Sequence, residues 1–313
     1  MTQIQKKKTR LAIDGVLLLD KPVGWSSNDA LIKSKRLLNA LKAGHTGTLD
    51  PFATGLLPLC FGEATKFSAD LLDADKTYQT VVHLGITTTT GDTEGEVLAT
   101  KEVMVSQEQI QQVLKQFEGD ILQVPPMYSA LKRDGKPLYE YARAGITLER
   151  EARPVTIHLL EVVQYDAPFL TLNVRCSKGT YIRVLGEDIG HALGCGAHLN
   201  ALRRTQVGAL ILQNTVTLSE FEALEFEQRL ALLAPVDTLL SSFPAIELNQ
   251  DLACRFLQGQ RLSLAKEAVN CPTECGRVRV YSQLNAANER KLLGSAQLQE
   301  FSVLAPERLI ATG

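Results

Sequence analysis

The sequence has no excess of positive charge and no long apolar run. Its 33 lysines and arginines are balanced by 35 aspartates and glutamates, which gives a formal net charge of −2. No apolar run approaches the roughly 20 residues that a membrane-spanning helix requires, so no transmembrane segment is expected. The basic start, MTQIQKKKTR, is not followed by an apolar stretch, so it lacks the pattern of a secretory signal.

Cysteine is too sparse to indicate a disulfide-stapled protein. Six cysteines are scattered over 313 residues, far more residues than a small disulfide-rich domain contains. With 45% hydrophobic and 22% charged residues, the composition is that of an ordinary globular protein. A chain of this length can bury a large core in one or two domains. We therefore expect a cytoplasmic protein with reduced thiols.

The charge is unevenly distributed along the chain. Residues 215–249 contain six acidic residues and one arginine, whereas residues 250–313 contain eight basic and six acidic residues. Residues 175–208 contain five basic and two acidic residues. Because nucleic-acid binding depends on local phosphate contacts rather than on net charge, this distribution permits RNA binding without indicating it.

The most informative stretch is residues 44–62, GHTGTLDPFATGLLPLCFG. Its glycines and two prolines exclude a long helix and predict a tight loop. The apolar run at 56–61 predicts a buried strand directly after that loop. The one carboxylate in the stretch, Asp50, is therefore a candidate functional group held on a rigid loop. The alternative is an ordinary turn, since Asp-Pro is a common turn-forming pair.

Several local patterns predict secondary structure elsewhere. Strands are predicted at 15–22, 76–85, 154–165 and 169–176, and helices at about 26–41, 64–72, 106–118 and from about residue 180. Ser26 or Ser27 would cap the first helix and Gly44 would end it. Ser106 and Gln109 have the spacing of a capping box. The mixed, charged segment 124–153 is predicted to be a mobile insertion.

The string GHTGTLDPFATGLLP resembles the catalytic motif of the TruB family of pseudouridine synthases, whose bacterial members isomerise uridine 55 in the T loop of tRNA. The resemblance covers nearly all of residues 15–212, with at least four motifs in the family's order, and weakens after that. It implies an α+β fold with a catalytic domain built on a largely antiparallel mixed sheet. It also implies a small, mainly β, PUA-like RNA-binding module at the C-terminus.

The resemblance divides the chain into segments. It implies a basic N-terminal arm at 1–14, a catalytic domain at 15–243 and a C-terminal module at 244–313. The insertion at 124–153 corresponds to a thumb-like loop that closes on RNA.

The implied reaction breaks an N-glycosidic bond and remakes it as a carbon–carbon bond, which needs no redox cofactor or metal. We therefore predict no cofactor. Asp50 would be the nucleophile of a covalent intermediate, attacking either uracil C6 or ribose C1′, and the sequence leaves both routes open. Because the target lies inside a folded T loop, it must be flipped out before Asp50 can reach it.

The resemblance also assigns roles to three residues around the base. Arg183, in KGTYIR, would counter the effect of burial on Asp50, because an adjacent positive charge favours the carboxylate. Tyr78, in KTYQ, would stack on the base and accept a proton, and Tyr181 would line the uracil pocket. From the residues alone, Arg183 could instead be an arginine at a helix start, and Tyr78 a half-buried strand tyrosine.

Three further residues are matched to substrate binding or loop support. His45 would insert near the position that the flipped base vacates, Leu202 would contact the flipped uridine, and Lys21 would support the active-site loop. Their alternatives are a hydrogen-bonded structural histidine, a core leucine and a turn lysine. Arg203 and Arg204 could neutralise phosphates or lie on a solvated face.

A metal site is the competing interpretation of one cluster. His191, Cys195 and His198 have the spacing of metal ligands on a helix. Gly194 and Gly196 argue against a continuous helix there, and no fourth ligand is evident. We therefore predict no metal.

The predicted substrate is the T stem-loop of tRNA, modified without a guide RNA. No membrane association and no protein partner are implied, and a monomer is the default. Two alternatives remain open: a guide-RNA-dependent relative that modifies ribosomal RNA, and an RNA-folding chaperone whose catalysis is incidental. The bacterial-looking segment PPMYSALKRDGKPLYEYAR argues against the first.

Overall fold

The computed structural model describes residues 9–283 and 290–311. Lys6, Lys7 and Lys8 of the predicted basic arm lie outside these residues. Arg10 is described, and its guanidinium donates to the carbonyl of Ala40 at 3.3 Å. Within the described residues, no helix has the length and apolar character needed to cross a membrane.

The elements are given in chain order. The strands are β1 (Gly15–Lys21), β2 (Ala43–His45), β3 (Thr54–Phe61), β4 (Lys76–Leu84), β5 (Ile86–Thr88), β6 (Val97–Thr100), β7 (Gly119–Gln123), β8 (Lys132–Arg133), β9 (Lys136–Pro137), β10 (Arg153–Asp166), β11 (Phe169–Cys176), β12 (Ala197–Val207), β13 (Leu210–Ile211), β14 (Val216–Thr217), β15 (Ala245–Leu248), β16 (Leu262–Ser263), β17 (Gly276–Ser282), β18 (Leu292–Gln299) and β19 (Val303–Leu309). The helices are α1 (Ser27–Leu37), α2 (Ser68–Leu72), α3 (Gln107–Leu114), α4 (Leu138–Arg143), α5 (Ile182–Ala192), α6 (Leu218–Ala223), α7 (Phe226–Ala231) and α8 (Gln250–Leu257).

Two sheets dominate the described residues. The first has ten strands in the order β14-β1-β3-β12-β4-β11-β10-β7, with β2 beside β3 and β13 beside β12. Its pairs are antiparallel except for β1 with β14 and β3 with β12. The second sheet has the order β15-β17-β18-β19-β16, in which β15 and β17 are parallel. The predicted α+β class with a largely antiparallel mixed sheet is confirmed.

Strand β3 is apolar on both sides because it lies between two cores. Side chains alternate between the faces of a strand. Leu57, Leu59 and Phe61 therefore pack into the core under α1, α3, α5 and α6. Leu56 and Cys60 face a second core, formed with the helical segment 62–72 and residues near 240. This sandwiched position explains the unbroken apolar run that predicted a buried strand.

Helix α1 is shorter than predicted. Ser26 caps it as expected, because its hydroxyl accepts the amide N–H of Asp29 at 3.1 Å. The prediction that Gly44 ends it is wrong, since the helix stops at Leu37. Asn39 adopts a left-handed conformation, with φ of +50°, immediately after the last turn. Asparagine tolerates this conformation at a helix C-terminus, so the chain turns away before Gly44.

The other predicted elements agree closely with the structure, and two of the differences are informative. The segment 62–72 begins as a 3₁₀ helix at Gly62–Phe67 before α2. Strand β12 was not predicted, although it lies at the centre of the first sheet. Its polar run Arg203–Gln206 hides the alternation that marks a strand, because buried Arg204 occupies a core-facing position.

The second sheet packs around α8 and forms its own core. It begins at Ala245, and the predicted domain boundary at 243/244 stays a prediction. Arg277 of β17 pairs with Asp70 of α2, whose side chain is only 1% exposed. Lys66 also donates to the carbonyl of Leu309 at 2.9 Å. Hydrogen bonds and an ion pair therefore join the second sheet to the helical segment 62–72.

Gly55 permits the parallel contact between β3 and β12. It has φ of +103°, and a Cβ there would lie 2.3 Å from the carbonyl oxygen of Arg204. We expect Gly55→Ala to lower the free energy of unfolding by about 3 kcal/mol, from backbone strain and overpacking. The measurement is urea unfolding followed by fluorescence of the single tryptophan.

Gly44→Ala is the matched control. Gly44 lies in the same stretch, and a Cβ there would have no atom within 4 Å. Equal unfolding midpoints for the two variants would contradict the packing argument.

Candidate active site

Asp50 lies in the turn between β2 and β3, and several bonds fix this turn. The hydroxyl of Ser27 donates to the carbonyl of Leu49 at 3.0 Å and accepts the N–H of Leu49 at 2.8 Å. On the other side of Asp50, the N–H of Gly24 donates to the carbonyl of Pro51 at 2.8 Å. The backbone on both sides of Asp50 is therefore tied to the turn between β1 and α1.

Arg183 lies in the first turn of α5 and contacts Asp50 directly. Its Nε donates to Asp50 Oδ2 at 2.9 Å, and its two terminal nitrogens donate to the carbonyls of Thr90 at 3.0 Å and Tyr128 at 2.7 Å. Asp92 Oδ2 lies 3.5 Å from the same Nε. The side chain of Arg183 is 4% exposed, so these contacts fix the orientation of its planar guanidinium.

The environment of Asp50 combines opposing effects on its pKa. Burial has the largest effect and raises the pKa of the carboxyl above its ordinary value. Asp92 adds to this rise, whereas Arg183 and Lys21 act against it. The side chain nevertheless keeps 36% of its surface exposed, so a substrate can reach it. Because arginine remains protonated in proteins, the direct ion pair favours the ionised carboxylate.

Lys21 is fully buried, and it holds the two turns together. Its ammonium donates to the carbonyls of Trp25 at 2.6 Å, Pro22 at 2.9 Å and Pro51 at 3.3 Å. Burial lowers the pKa of Lys21 to about 8, with Asp50 acting in the opposite direction. These contacts make Lys21 a support for the Asp50 turn.

Tyr78 and Arg204 are cross-strand partners on β4 and β12. Burial raises the pKa of the Tyr78 hydroxyl, and Arg204 lowers it through its charge and a hydrogen bond. Arg204 is 1% exposed and donates to the carbonyls of Leu56 at 2.8 Å and Gly47 at 3.2 Å. A single buried guanidinium thus connects the tyrosine, β3 and the loop before Asp50.

Tyr181 and His45 border the same region. The N–H of Tyr181 donates to the Gln123 side-chain oxygen at 3.0 Å, and the Gln123 amide donates back to its carbonyl at 3.3 Å. Burial and the charge of Arg204 lower the pKa of His45. Its buried Nδ1 has no hydrogen-bond partner among residues 9–283 and 290–311. This nitrogen is therefore a buried polar atom whose hydrogen bonding is unsatisfied within the described residues.

The structure brings most of the predicted residues together. The charge of Asp50 affects the pKa of Lys21, Tyr78 and Tyr181, and Arg183 contacts it directly. Leu202 on β12 is 7% exposed and belongs to the main core, as the alternative interpretation held. Its role toward a substrate stays a prediction.

Asp92 was not among the site residues predicted from the sequence. It is 2% exposed, and its Oδ1 accepts the N–H of Glu94 at 3.0 Å and the hydroxyl of Thr90. Asp92 lies in the segment TTTTGDTEGE, whose composition predicts only turns, because acidic residues are common there. A possible signal was its position after the predicted strand at 76–85, since functional residues are often placed on loops beside a rigid strand.

The idea that Arg203 and Arg204 neutralise phosphates is not supported by their contacts. Arg204 is buried, and Arg203 makes a two-pronged ion pair with Asp20, at 3.2 and 2.6 Å. The other three basic residues of 175–208 also have carboxylate partners, which are Asp75 for Arg175, Asp73 for Lys178 and Asp50 for Arg183. This local positive charge is therefore largely used within the protein.

The residues of the competing metal interpretation are separated by secondary structure. His191 lies in α5, whereas His198 lies in β12, where its Nδ1 is 2.9 Å from the carbonyl oxygen of Ile86. In the part of the chain that the structure describes, no three His, Cys, Asp or Glu residues are grouped as metal ligands.

Comparison with known families gives three matches in chain order. Residues 35–182 match the TruB family pseudouridylate synthase N-terminal domain, and residues 183–241 match the tRNA pseudouridylate synthase B C-terminal domain. Residues 244–310 match the pseudouridine synthase II TruB C-terminal domain.

Two similar proteins are both named tRNA pseudouridine synthase B. The protein of Burkholderia mallei (strain ATCC 23344) is 61% identical over 308 residues, which cover 98% of this chain and 97% of that protein. The protein of Ralstonia nicotianae (strain ATCC BAA-1114 / GMI1000) is 61% identical over 310 residues, with the same two coverages.

Solved structures show the same fold. A chain in the crystal structure of a Cbf5-Nop10-Gar1 complex has a TM-score of 0.71 and 26% identity, covering 94% of this chain and 84% of its own length. A chain of an H/ACA RNP bound to a substrate RNA containing 2′-deoxyuridine has a TM-score of 0.72 and 24% identity, covering 95% and 85%. Together with the family matches, these likenesses confirm the predicted fold.

Arg204 is expected to be more important for stability than its neighbour. Arg204→Met leaves two backbone carbonyls without their donor, so we expect the free energy of unfolding to fall by about 2 kcal/mol. Arg203→Met removes a partly exposed ion pair and should cost less than about 1 kcal/mol. Urea unfolding of both variants measures the difference, and an equal loss in each would contradict it.

Proposed function

This chain belongs to the TruB family of pseudouridine synthases, and we propose that it converts uridine 55 in the T loop of tRNA to pseudouridine without a guide RNA. The observation that carries this proposal is the Asp50–Arg183 ion pair, with an accessible carboxylate on a turn fixed at both ends. The names of the two similar proteins support tRNA as the substrate.

Asp50 acts as the nucleophile in the proposed mechanism. Its carboxylate adds to uracil C6 or attacks ribose C1′, and both routes proceed through a covalent intermediate. In either route the N1–C1′ bond breaks, a C5–C1′ bond forms, C5 loses a proton and N1 gains one. Substrate and product therefore have the same atoms, and the reaction needs no co-reactant.

Arg183 and Asp92 hold the nucleophile in place. Burial raises the pKa of Asp50, and the Arg183 guanidinium opposes that rise because an adjacent positive charge favours the carboxylate. Asp92 is the positioning residue in this arrangement, because its carboxylate lies against the same Nε and it touches Arg183 rather than the base. The carbonyls of Thr90 and Tyr128 restrain the guanidinium from its other side.

Tyr78 is the proposed stacking residue and proton acceptor. Accepting a proton from C5 requires the phenolate, which burial disfavours and the adjacent Arg204 guanidinium favours. Tyr181 lines the uracil pocket, and its backbone is fixed by Gln123. Leu202 contacts the uridine from the neighbouring strand.

His45 is proposed to act in base flipping. Removing a base from the stack leaves hydrogen-bonding groups in the T loop without their partners. Burial and Arg204 keep the His45 ring neutral, and its buried Nδ1 is without a partner in the described part of the chain. A neutral imidazole suits insertion among bases, because it carries no charge that would lose its hydration there.

Contacts to phosphates are assigned to the thumb segment, residues 124–153. Exposed basic side chains on this segment are Lys132, Arg133, Lys136, Arg143 and Arg153. The segment reaches the site through Tyr128, whose carbonyl accepts from Arg183. It therefore offers positive charge beside the site, which the paired arginines of 175–208 do not.

The direct test uses purified protein, an unmodified tRNA transcript and no guide RNA. Pseudouridine is mapped by chemical sequencing. We expect conversion of the T-loop uridine alone, and we expect Asp50→Asn to slow it by about 10⁴-fold or more while tRNA binding persists. Asp73→Asn is the control, because Asp73 is 69% exposed and pairs only with Lys178 in the described structure.

Each other outcome points to a different function. Tight tRNA binding by the wild type without conversion would contradict a stand-alone enzyme. Conversion only after a guide RNA is added would favour the guided relatives. An Asp50→Asn variant that still promotes tRNA folding would add a chaperone role to the enzyme.

The pH dependence tests the role of Asp92. Its negative charge raises the pKa of Asp50, so Asp92→Asn should lower that pKa and preserve the ionised nucleophile to lower pH. The acidic limb of the single-turnover rate should therefore move to lower pH. At neutral pH we expect a rate about 10-fold lower, because Arg183 loses one of its restraints.

The matched control is Asp166→Asn, which changes an exposed aspartate at the end of β10. This variant should leave the pH dependence of the single-turnover rate unchanged. An acidic limb that stays fixed or moves upward in Asp92→Asn would contradict the electrostatic argument.

A further inference from the structure

Trp25 lies between two residues, Gly24 and Ser27, that are hydrogen-bonded to the turn carrying Asp50. The N–H of Gly24 is bonded to the carbonyl of Pro51, and the hydroxyl of Ser27 is bonded to both backbone groups of Leu49. These contacts align residues 24–27 with residues 49–51. Trp25 is therefore held beside the turn that carries Asp50.

The backbone of Trp25 is fixed, whereas its indole is partly free. Its carbonyl accepts from the buried Lys21 ammonium at 2.6 Å. The side chain nevertheless exposes 36% of its surface, and the neighbouring Val23 exposes 65%. Gly24 between them has φ of +81° and open space where a Cβ would be. A rigid turn thus presents an apolar surface at the edge of the site.

This indole is not a member of the cores found among the described residues. In residues 9–283 and 290–311, no second aromatic ring and no lysine or arginine stacks on it. A large aromatic side chain that has a fixed backbone and an uncovered face is suited to an aromatic partner.

We propose that Trp25 is an RNA-binding residue that stacks on an unpaired nucleobase next to the flipped uridine. The inference rests on the proposed function, because the RNA must enter the cleft at Asp50. Flipping one nucleotide removes a stacking partner from its neighbours, and the indole can replace that partner. Every base has a flat face, so this contact adds affinity and positions the loop without reading sequence.

The chain itself supplies a specific readout. Trp25 is its single tryptophan, so the tryptophan fluorescence of the protein comes from this residue alone. The Asp50→Asn protein is titrated with a T-arm stem-loop RNA and, separately, with a fully paired duplex of the same length. We expect stacking to quench the fluorescence with the stem-loop at saturation, and to leave it nearly unchanged with the duplex.

Variants then measure the effect on binding. We expect Trp25→Ala to raise the Kd for the stem-loop about 10-fold. The single-turnover rate at saturating RNA should stay nearly unchanged, because the stacking contact contributes to affinity. Trp25→Phe keeps an aromatic face and should recover most of the affinity. Met104→Ala, a change at a residue that is 81% exposed outside this turn, is the control for loss of an exposed apolar side chain.

The outcomes separate this inference from the proposed function. A wild-type protein that does not convert the T-loop uridine contradicts the function, whatever the fluorescence shows. Normal conversion with no quenching, or with equal Kd values for wild type and Trp25→Ala, overturns the stacking role. If Trp25→Ala does not fold, the fluorescence quenching of the Asp50→Asn protein and the RNA affinity of Trp25→Phe still test the stacking role.

Discussion

The site depends on one ion pair between residues that are 133 positions apart in sequence. Arg183 Nε and Asp50 Oδ2 are 2.9 Å apart, and the arginine is almost fully buried. A buried guanidinium is tolerated only when its donors are satisfied. Asp50, Thr90 and Tyr128 accept from it, and Asp92 lies against it. Four separate segments must therefore be in place before the carboxylate of Asp50 is oriented.

Two further buried cations hold the backbone around that pair. Lys21 and Arg204 donate mainly to backbone carbonyls of the turns that surround Asp50. Their charges are thus used to fix loops that contain glycine and proline, where regular backbone pairing is not available. The same use of charge explains why a protein with a net charge of −2 can form an RNA-modifying site. Its positive charge inside the catalytic part serves mainly to build the site, and we propose that exposed basic residues of the thumb contact the phosphates.

Local sequence patterns were sufficient to predict secondary structure wherever that structure depends on neighbouring residues. The apolar run of β3, the alternation in β4 and the capping box at Ser106 were all correctly predicted. Strand β12 was missed because buried Arg204 breaks its apolar pattern, and its partner groups lie about 150 residues away. Asp92 was missed for the same reason, since only the folded chain brings it to Arg183. The site residues that were predicted came from the family resemblance, because spacing alone left each of them with a structural alternative.

The turn that contains Trp25 and the turn that contains Asp50 form one rigid unit at the edge of the site. Lys21 donates to the carbonyls of both Trp25 and Pro51, so the turn that we propose to meet the RNA and the turn that carries Asp50 share a single ammonium. A displacement of one turn must stretch these bonds or move the other turn. Because reacting groups must be placed to within a fraction of an ångström, a contact that positions the RNA on the first turn also sets its distance from Asp50. In the proposed function, the orientation of Asp50 and the placement of the substrate therefore depend on the same buried lysine.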